Sequence, residues 1–291
     1  MGLTVDTKQS SLEGSGQADS RLLAWLELFR IPNLFTVPGD PVAGFLLAQF
    51  GGFRAPFGRL VPAAVSCIFL YMMGLALNDW ADRREDSLHR PNRPLPSGRL
   101  SGNAVLMASF LLAAAAIFLA AISGGKAAAF VAICLLLMVV FYDLFTKHVP
   151  VLGSLVMGTC RGLSLVLGAT IAGWHPESFD PVIAASCALV LYVAAFSSIA
   201  AGETSLSAVG ARRWLPCLAS VACVALVYRA LGGLNLWFLS MMLVLCAWTF
   251  VQALHLASTT PEPAEVKKAV KAFILGLFIF QAAMCSINVP T

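Results

Sequence analysis

Nine apolar stretches, each close to bilayer-crossing length, constrain this chain more than any other feature. They run over about 34–50, 60–77, 104–122, 127–145, 151–172, 181–200, 214–231, 236–256 and 269–289. About 30 Å of hydrocarbon is crossed by roughly 20 helical residues at ~1.5 Å each. The expected fold is therefore an all-α integral membrane protein, with nine transmembrane helices in one bundle. Composition agrees. Hydrophobic residues make up 59% and charged residues 12% of the chain, against the roughly 25% charged of a soluble domain. The first stretch is interrupted by Pro38, Gly39, Asp40 and Pro41. Such breaks are tolerated where neighbouring helices or a wet cavity satisfy the freed backbone, so this segment is expected to face the bundle interior.

Residues 1–20 are polar, with no apolar core behind a basic start, and read as a disordered tail and not as a signal peptide. Residues 21–30 are amphipathic and are expected to lie at the interface, opening a membrane domain over 21–291. Fourteen Lys and Arg fall on the amino-terminal side and in the even-numbered gaps, against four (Arg54, Arg59, Lys126, Arg229) on the opposite side. By the positive-inside rule the amino terminus and the loops after spans two, four and six are cytoplasmic. A net charge of +4 distributed this way gives no reason to expect a nucleic-acid partner.

The chemistry gathers where span two meets its loop, in Asn78-Asp79-Trp80-Ala81-Asp82-Arg83-Arg84-Glu85-Asp86. If the helix runs on for two more turns, Asn78 and Asp82 are four apart, and Asp79, Asp82 and Asp86 are spaced by three and four, which puts their oxygens on one face. Hard oxygen donors grouped this way suit Mg²⁺. A solvated acidic helix end has the same composition. What favours a site is that Arg83, Arg84, Arg90, Arg93 and Arg99 share the stretch, so carboxylates and phosphate-binding cations meet at one membrane interface.

After span four come Tyr142, Asp143 and Lys147, a polar group whose lysine reads either as an interfacial anchor or as a ligand. Within span five, Gly158-Thr159-Cys160-Arg161-Gly162 places an arginine in hydrocarbon. Such a residue needs a partner or a wet cavity. Two readings stay open: a buried pair with Asp40 or Asp143, and a cavity that receives an anionic group. The eight cysteines include no C-x-x-C pair and read as small packing residues. His89 and His148 read as solvated or capping. No P-loop, nucleophile elbow or dinucleotide fingerprint occurs.

The pattern N-D-x-x-D-x-x-x-D at Asn78–Asp86, followed by Arg93-Pro94-Leu95-Pro96-Ser97-Gly98-Arg99, resembles the first signature of the UbiA superfamily of intramembrane prenyltransferases. The Cys160-Arg161-Gly162 stretch is similar to its EboC-like branch. The resemblance implies a nine-helix bundle that uses Mg²⁺ to transfer a prenyl group from a prenyl diphosphate to a hydrophobic, aromatic or lipid-like acceptor within the bilayer. It also implies roles. Asn78, Asp79, Asp82 and Asp86 would hold the metal. Arg93, Arg99, Lys147 and Arg161 would take the diphosphate, and Tyr142 would line the pocket near the reacting carbon. The chain departs from the family after span six, where a second aspartate motif is usual and Glu203 is the only carboxylate between Ser197 and Gly210. Glu203 is then the expected second metal ligand, or the protein binds an isoprenoid without turning it over. A transporter lacks support from an inverted repeat. A CDP-alcohol phosphatidyltransferase lacks its glycine and aspartate spacing.

Overall fold

The computed structural model describes residues 21–49, 55–173, 176–200, 210–233, 235–257 and 262–287; the segment 1–20 and Glu203 lie outside them. The described residues form helices α1 (21–28), α2 (Ile31–Leu34), α3 (Gly39–Leu47), α4 (Leu60–Ala81), α5 (Arg83–His89), α6 (Gly102–Phe141), α7 (Pro150–Ala172), α8 (Pro176–Ala200), α9 (Leu215–Leu231), α10 (Leu236–His255) and α11 (Pro263–Ser286). A π-helical turn, Tyr142–Thr146, closes α6. Among these residues, seven helices are long and apolar enough to cross a membrane. The chain is an integral membrane protein, and the expectation of nine long spans is corrected at the first of them.

The correction lies at the opening span. Residues 34–50 do not form one helix, because the Pro38–Pro41 break leaves the short α2 and α3. The freed backbone is satisfied from inside the bundle, as its sequence required. Thr36 gives its carbonyl to both the Arg161 guanidinium (2.9 Å) of α7 and the Gln281 amide (2.8 Å) of α11. The same two side chains donate to Asp40 Oδ1, at 3.1 and 2.8 Å. Asp40 is fully buried in the first turn of α3, where the helix dipole favours an anion.

Spans three and four correspond to the two arms of α6. The helix breaks between them at Gly124 and Gly125, and Gly125 takes φ 67°, ψ −152°, a conformation open to glycine and strained for a residue with Cβ. Small residues follow on both sides of the break. Ala116, Ala120, Ala128 and Ala132 are fully buried in a core shared with α3, α4 and α7, and the Ser66 hydroxyl of α4 donates to the Ala116 carbonyl at 2.7 Å.

Between helices in lipid, apolar burial offers little drive, so close packing and hydrogen bonds hold the bundle. Gly44 of α3 and Gly168 of α7 bring these two helices backbone to backbone: a Cβ on either would overlap a carbonyl of the other helix, at Leu165 and Pro41 respectively. The second half packs around Tyr192, whose hydroxyl donates to the Phe273 carbonyl at 3.0 Å while its ring stacks on Phe280. Outward-facing Phe110, Phe118, Phe130 and Leu243 leave an apolar belt for lipid. The amphipathic expectation for 21–30 holds as well. Ala24 and Leu28 of α1 are buried on Ala76, Leu100 and Val105, with Leu22, Leu23 and Leu26 turned outward.

Candidate functional site

α4 carries its apolar run past Leu77 to Ala81 and ends at Asp82, which sits at φ −82°, ψ −1° and starts α5. The backbone stays nearly continuous there, with the Asp86 N–H bonded to the Asp82 carbonyl at 2.9 Å. The four oxygen-bearing side chains nevertheless divide into two sets. Asn78 and Asp82 converge on one cation: the Lys147 ammonium donates to Asn78 Oδ1 at 3.2 Å and to Asp82 Oδ1. Asp79 and Asp86, both buried, share Arg93, whose guanidinium lies 3.6 Å from Asp79 and 2.6 Å from Asp86. Arg30 adds a second contact to Asp79 at 3.0 Å, and Arg90 a looser one to Asp86 at 3.8 Å.

The predicted diphosphate cations occupy different places. Lys147 and Arg93 belong to the cluster just described. Arg99 reaches away from it, to Glu27 of α1 at 2.8 Å and to the Asn92 carbonyl at 2.8 Å. Arg161 lies in the bundle interior, its Nε 2.7 Å from Asp40 Oδ2, so of the two partners read for it from the sequence Asp40 is the one it meets. Exposed Glu85 and His148 bring ligand atoms within 4.8 Å of Asp82 and of each other, a grouping that treating His148 as a solvated residue had passed over.

Beneath the cluster opens a cavity of about 520 Å³. Arg30, Asn33, Asn78, Tyr142, Asp143 and Lys147 line its polar mouth, and Leu70, Leu135, Val139, Met157, Phe196 and Leu277 its apolar walls. Arg161 and Ser164 also line it, eight or more residues further along α7 than Gly153, which is roughly 12 Å deeper at ~1.5 Å per residue. Mouth and interior thus differ in kind. The mouth gathers hard oxygens and cations suited to a metal and a diphosphate, and the interior suits a hydrocarbon chain.

Sequence reasoning missed Arg30, Asn33 and the exposure of Asp143 to this cavity. Arg30 entered the sequence reading only as the end of the amphipathic segment 21–30. Its backbone gives the signal that its residue type cannot: at φ 46° it is the one non-glycine residue with positive φ among the described residues, held there while it reaches Asp79.

A Mg²⁺ ion fits the Asn78–Asp82 pair on an observation of this structure. Their oxygens already converge on a cation, the Lys147 ammonium, and both are hard donors of the kind Mg²⁺ takes.

A family model described as the UbiA prenyltransferase family matches residues 41–277. Among curated relatives, the digeranylgeranylglyceryl phosphate synthase of Methanosarcina mazei is 35% identical over 160 residues, covering 52% of this chain and 55% of the relative. That of Methanosarcina barkeri is 28% identical over 159 residues, covering 51% and 55%. The chain spans about half the length of the curated relatives it matches. Among solved structures, a UbiA homolog from Aeropyrum pernix superposes with a TM-score of 0.68 at 19% identity, over 86% of this chain and 96% of that one. A UbiA homolog from Archaeoglobus fulgidus bound to DMAPP and Mg²⁺ gives a TM-score of 0.62 at 15% identity, over 88% and 98%.

Proposed function

We propose, this chain being a member of the UbiA prenyltransferase family, that it transfers a prenyl group from a prenyl diphosphate to a hydrophobic acceptor within the bilayer, with Mg²⁺ as cofactor. The observation that carries this reading is the convergence of Asn78 and Asp82 on one cation at the mouth of an apolar cavity. A diphosphate head and a prenyl tail need these two environments side by side.

In this reading Asn78 and Asp82 hold the ion, Asp79 and Asp86 belong to the same shell, and Glu203 supplies the second-motif carboxylate. The metal supplies Lewis-acid stabilisation of the charge on the leaving diphosphate. This chain's own residues do the rest. Lys147, Arg93 and Arg30 take up charge on the diphosphate, with Arg99 and Arg161 as the outlying cations of the set. Because these groups are already in place when charge develops, little reorganisation is needed as the allylic C–O bond breaks. Tyr142 lines the pocket beside the reacting carbon, and the apolar walls keep water from the allylic cation. The amino terminus and the Asn78–Arg99 loop face the cytoplasm, a placement that rests on the lysine and arginine asymmetry.

The test is Mg²⁺-dependent release of pyrophosphate from geranylgeranyl diphosphate by purified protein in lipid, beside Asp82→Asn. Wild-type release that falls about 100-fold or more in the variant is expected, the size seen when one electrostatic stabiliser is lost. Donor binding without consumption in both proteins would replace this reading with that of an isoprenoid-binding protein, which the single carboxylate of the second motif region would then explain.

A further inference from the structure

The acids of the signature stretch are matched by cations, with one exception. Asp79 meets Arg30 and Arg93, Asp86 meets Arg93 and Arg90, and Asp82 meets Lys147. Glu85 has no ion-pair partner among the described residues, although it lies in an arginine-rich loop. The neighbouring arginines turn elsewhere: Arg83 lies 4.3 Å over the Trp80 ring and donates to the Trp80 carbonyl, and Arg99 holds Glu27.

What Glu85 approaches instead is another acid and an imidazole. One ligand atom each from Asp82, Glu85 and His148 lies within 4.8 Å of the other two. Local structure gathers them. Asp82 ends α4, and Glu85 follows three residues later in the first turn of α5, on the same face. His148 arrives from α6 through the π turn, where the Lys147 N–H bonds the Tyr142 carbonyl at 3.0 Å. The contact of the Lys147 ammonium with Asp82 then tethers the adjoining His148 beside α5. Two carboxylates brought this close repel unless a cation joins them, and Lys147 bridges Asp82 to Asn78 and not to Glu85.

The imidazole sets the class of cation. Mg²⁺ takes oxygen donors and gives up its water reluctantly, whereas Zn²⁺ accepts imidazole nitrogen together with carboxylate oxygen. Ligand atoms around tetrahedral Zn²⁺ stand roughly 3.4 Å apart, so closing the group asks for a contraction of about 1.4 Å at most. Glu85 and His148 are exposed and can supply it by changing rotamer.

We propose that Asp82, Glu85 and His148 form a Zn²⁺ site on the outer side of the cavity mouth, sharing Asp82 with the Mg²⁺ pair Asn78 and Asp82, and that Zn²⁺ there opposes Mg²⁺. Two dications on one carboxylate repel each other, so each weakens the binding of the other, and by linkage the effect is reciprocal. Zn²⁺ binding itself needs nothing from the prenyl-transfer reading. Its effect on turnover rests on that reading.

The experiment uses tag-free protein in lipid nanodiscs: wild type, Glu85→Gln and His148→Ala, with zinc chloride as the probe. Zn²⁺ binding is measured by titration calorimetry with and without excess Mg²⁺, and the visible absorption of Co²⁺ in the same site reports ligation by the imidazole. Mg²⁺-dependent pyrophosphate release from geranylgeranyl diphosphate is followed in parallel. Wild type is expected to bind one equivalent of Zn²⁺, about tenfold more weakly in excess Mg²⁺, and to lose turnover as Zn²⁺ is added. Each variant should bind Zn²⁺ about tenfold or more weakly, since even an outer-shell partner of a metal is worth that much. Because both side chains are exposed, melting temperature should stay near that of wild type and release without Zn²⁺ within about twofold of it. Zn²⁺ binding that is unchanged in both variants, or undiminished by excess Mg²⁺, overturns the proposal. If Zn²⁺ binding behaves as expected and no preparation releases pyrophosphate, the prenyl-transfer reading fails and the Zn²⁺ site stands.

Discussion

Arg93 is the residue on which the inner half of the signature depends. Its guanidinium joins Asp79 to Asp86, two buried carboxylates on different helices. Removing one partner of such a pair leaves an uncompensated buried charge. Arg93→Ala should therefore lower stability by about 2 to 3 kcal/mol, discounted from the fully buried case because the arginine is 26% exposed, and thermal denaturation in lipid is the check. Arg93→Lys should recover part of the loss, since an ammonium reaches one carboxylate well and lacks the fork that spans two. The cluster itself was legible because seven of the nine residues Asn78–Asp86, directly after an apolar run, are polar or charged. Its division was not. Spacing put Asn78, Asp79, Asp82 and Asp86 on one face, and the turn at Asp82 together with Arg93 and Lys147 from elsewhere in the chain sorted them into two pairs. Arg30 was hidden for a related reason: an interfacial arginine has the same sequence pattern whether it faces headgroups or Asp79.

At the scale of elements, α3, α7 and α11 meet in the knot of Asp40, Arg161, Gln281 and the Thr36 carbonyl. The sequence announced the need for this knot through Pro38 and Pro41, and it announced Arg161 as a costly residue in search of a partner. It did not announce Gln281, which is 241 residues from Asp40 and looks like an ordinary polar residue in a span. Asp40→Asn or Arg161→Met alone should destabilise by about 3 to 5 kcal/mol, whereas the double variant should cost distinctly less than the sum, because it leaves no buried charge unpaired. A double-mutant cycle measured by thermal unfolding in lipid decides this, and strict additivity would count against the knot. The same interface carries the backbone approach at Gly44 and Gly168. Gly168→Leu is expected to reduce the yield of folded protein sharply, since there the side chain would meet backbone and not a yielding side-chain tip.

For the whole molecule, apolar length gave the class and most of the helices, and it miscounted where length was a poor guide. The opening span is too broken to register as a long helix, whereas the two arms of α6 part at Gly124 and Gly125, within the gap the sequence left between its third and fourth stretches. One wider consequence follows from α1. This helix shows Leu22, Leu23 and Leu26 to the outside while its Glu27 holds Arg99 and the adjoining Arg30 holds Asp79. We expect the membrane surface to be a structural partner of the site, joined to it through one short amphipathic rod. Detergent that strips the headgroup layer should relax that rod before it loosens the bundle. Purified protein is expected to lose donor binding on solubilisation while its melting temperature changes little, and to regain it on return to a bilayer. A preparation that melts normally and fails to bind would therefore be missing its lipid, and would say nothing against its chemistry.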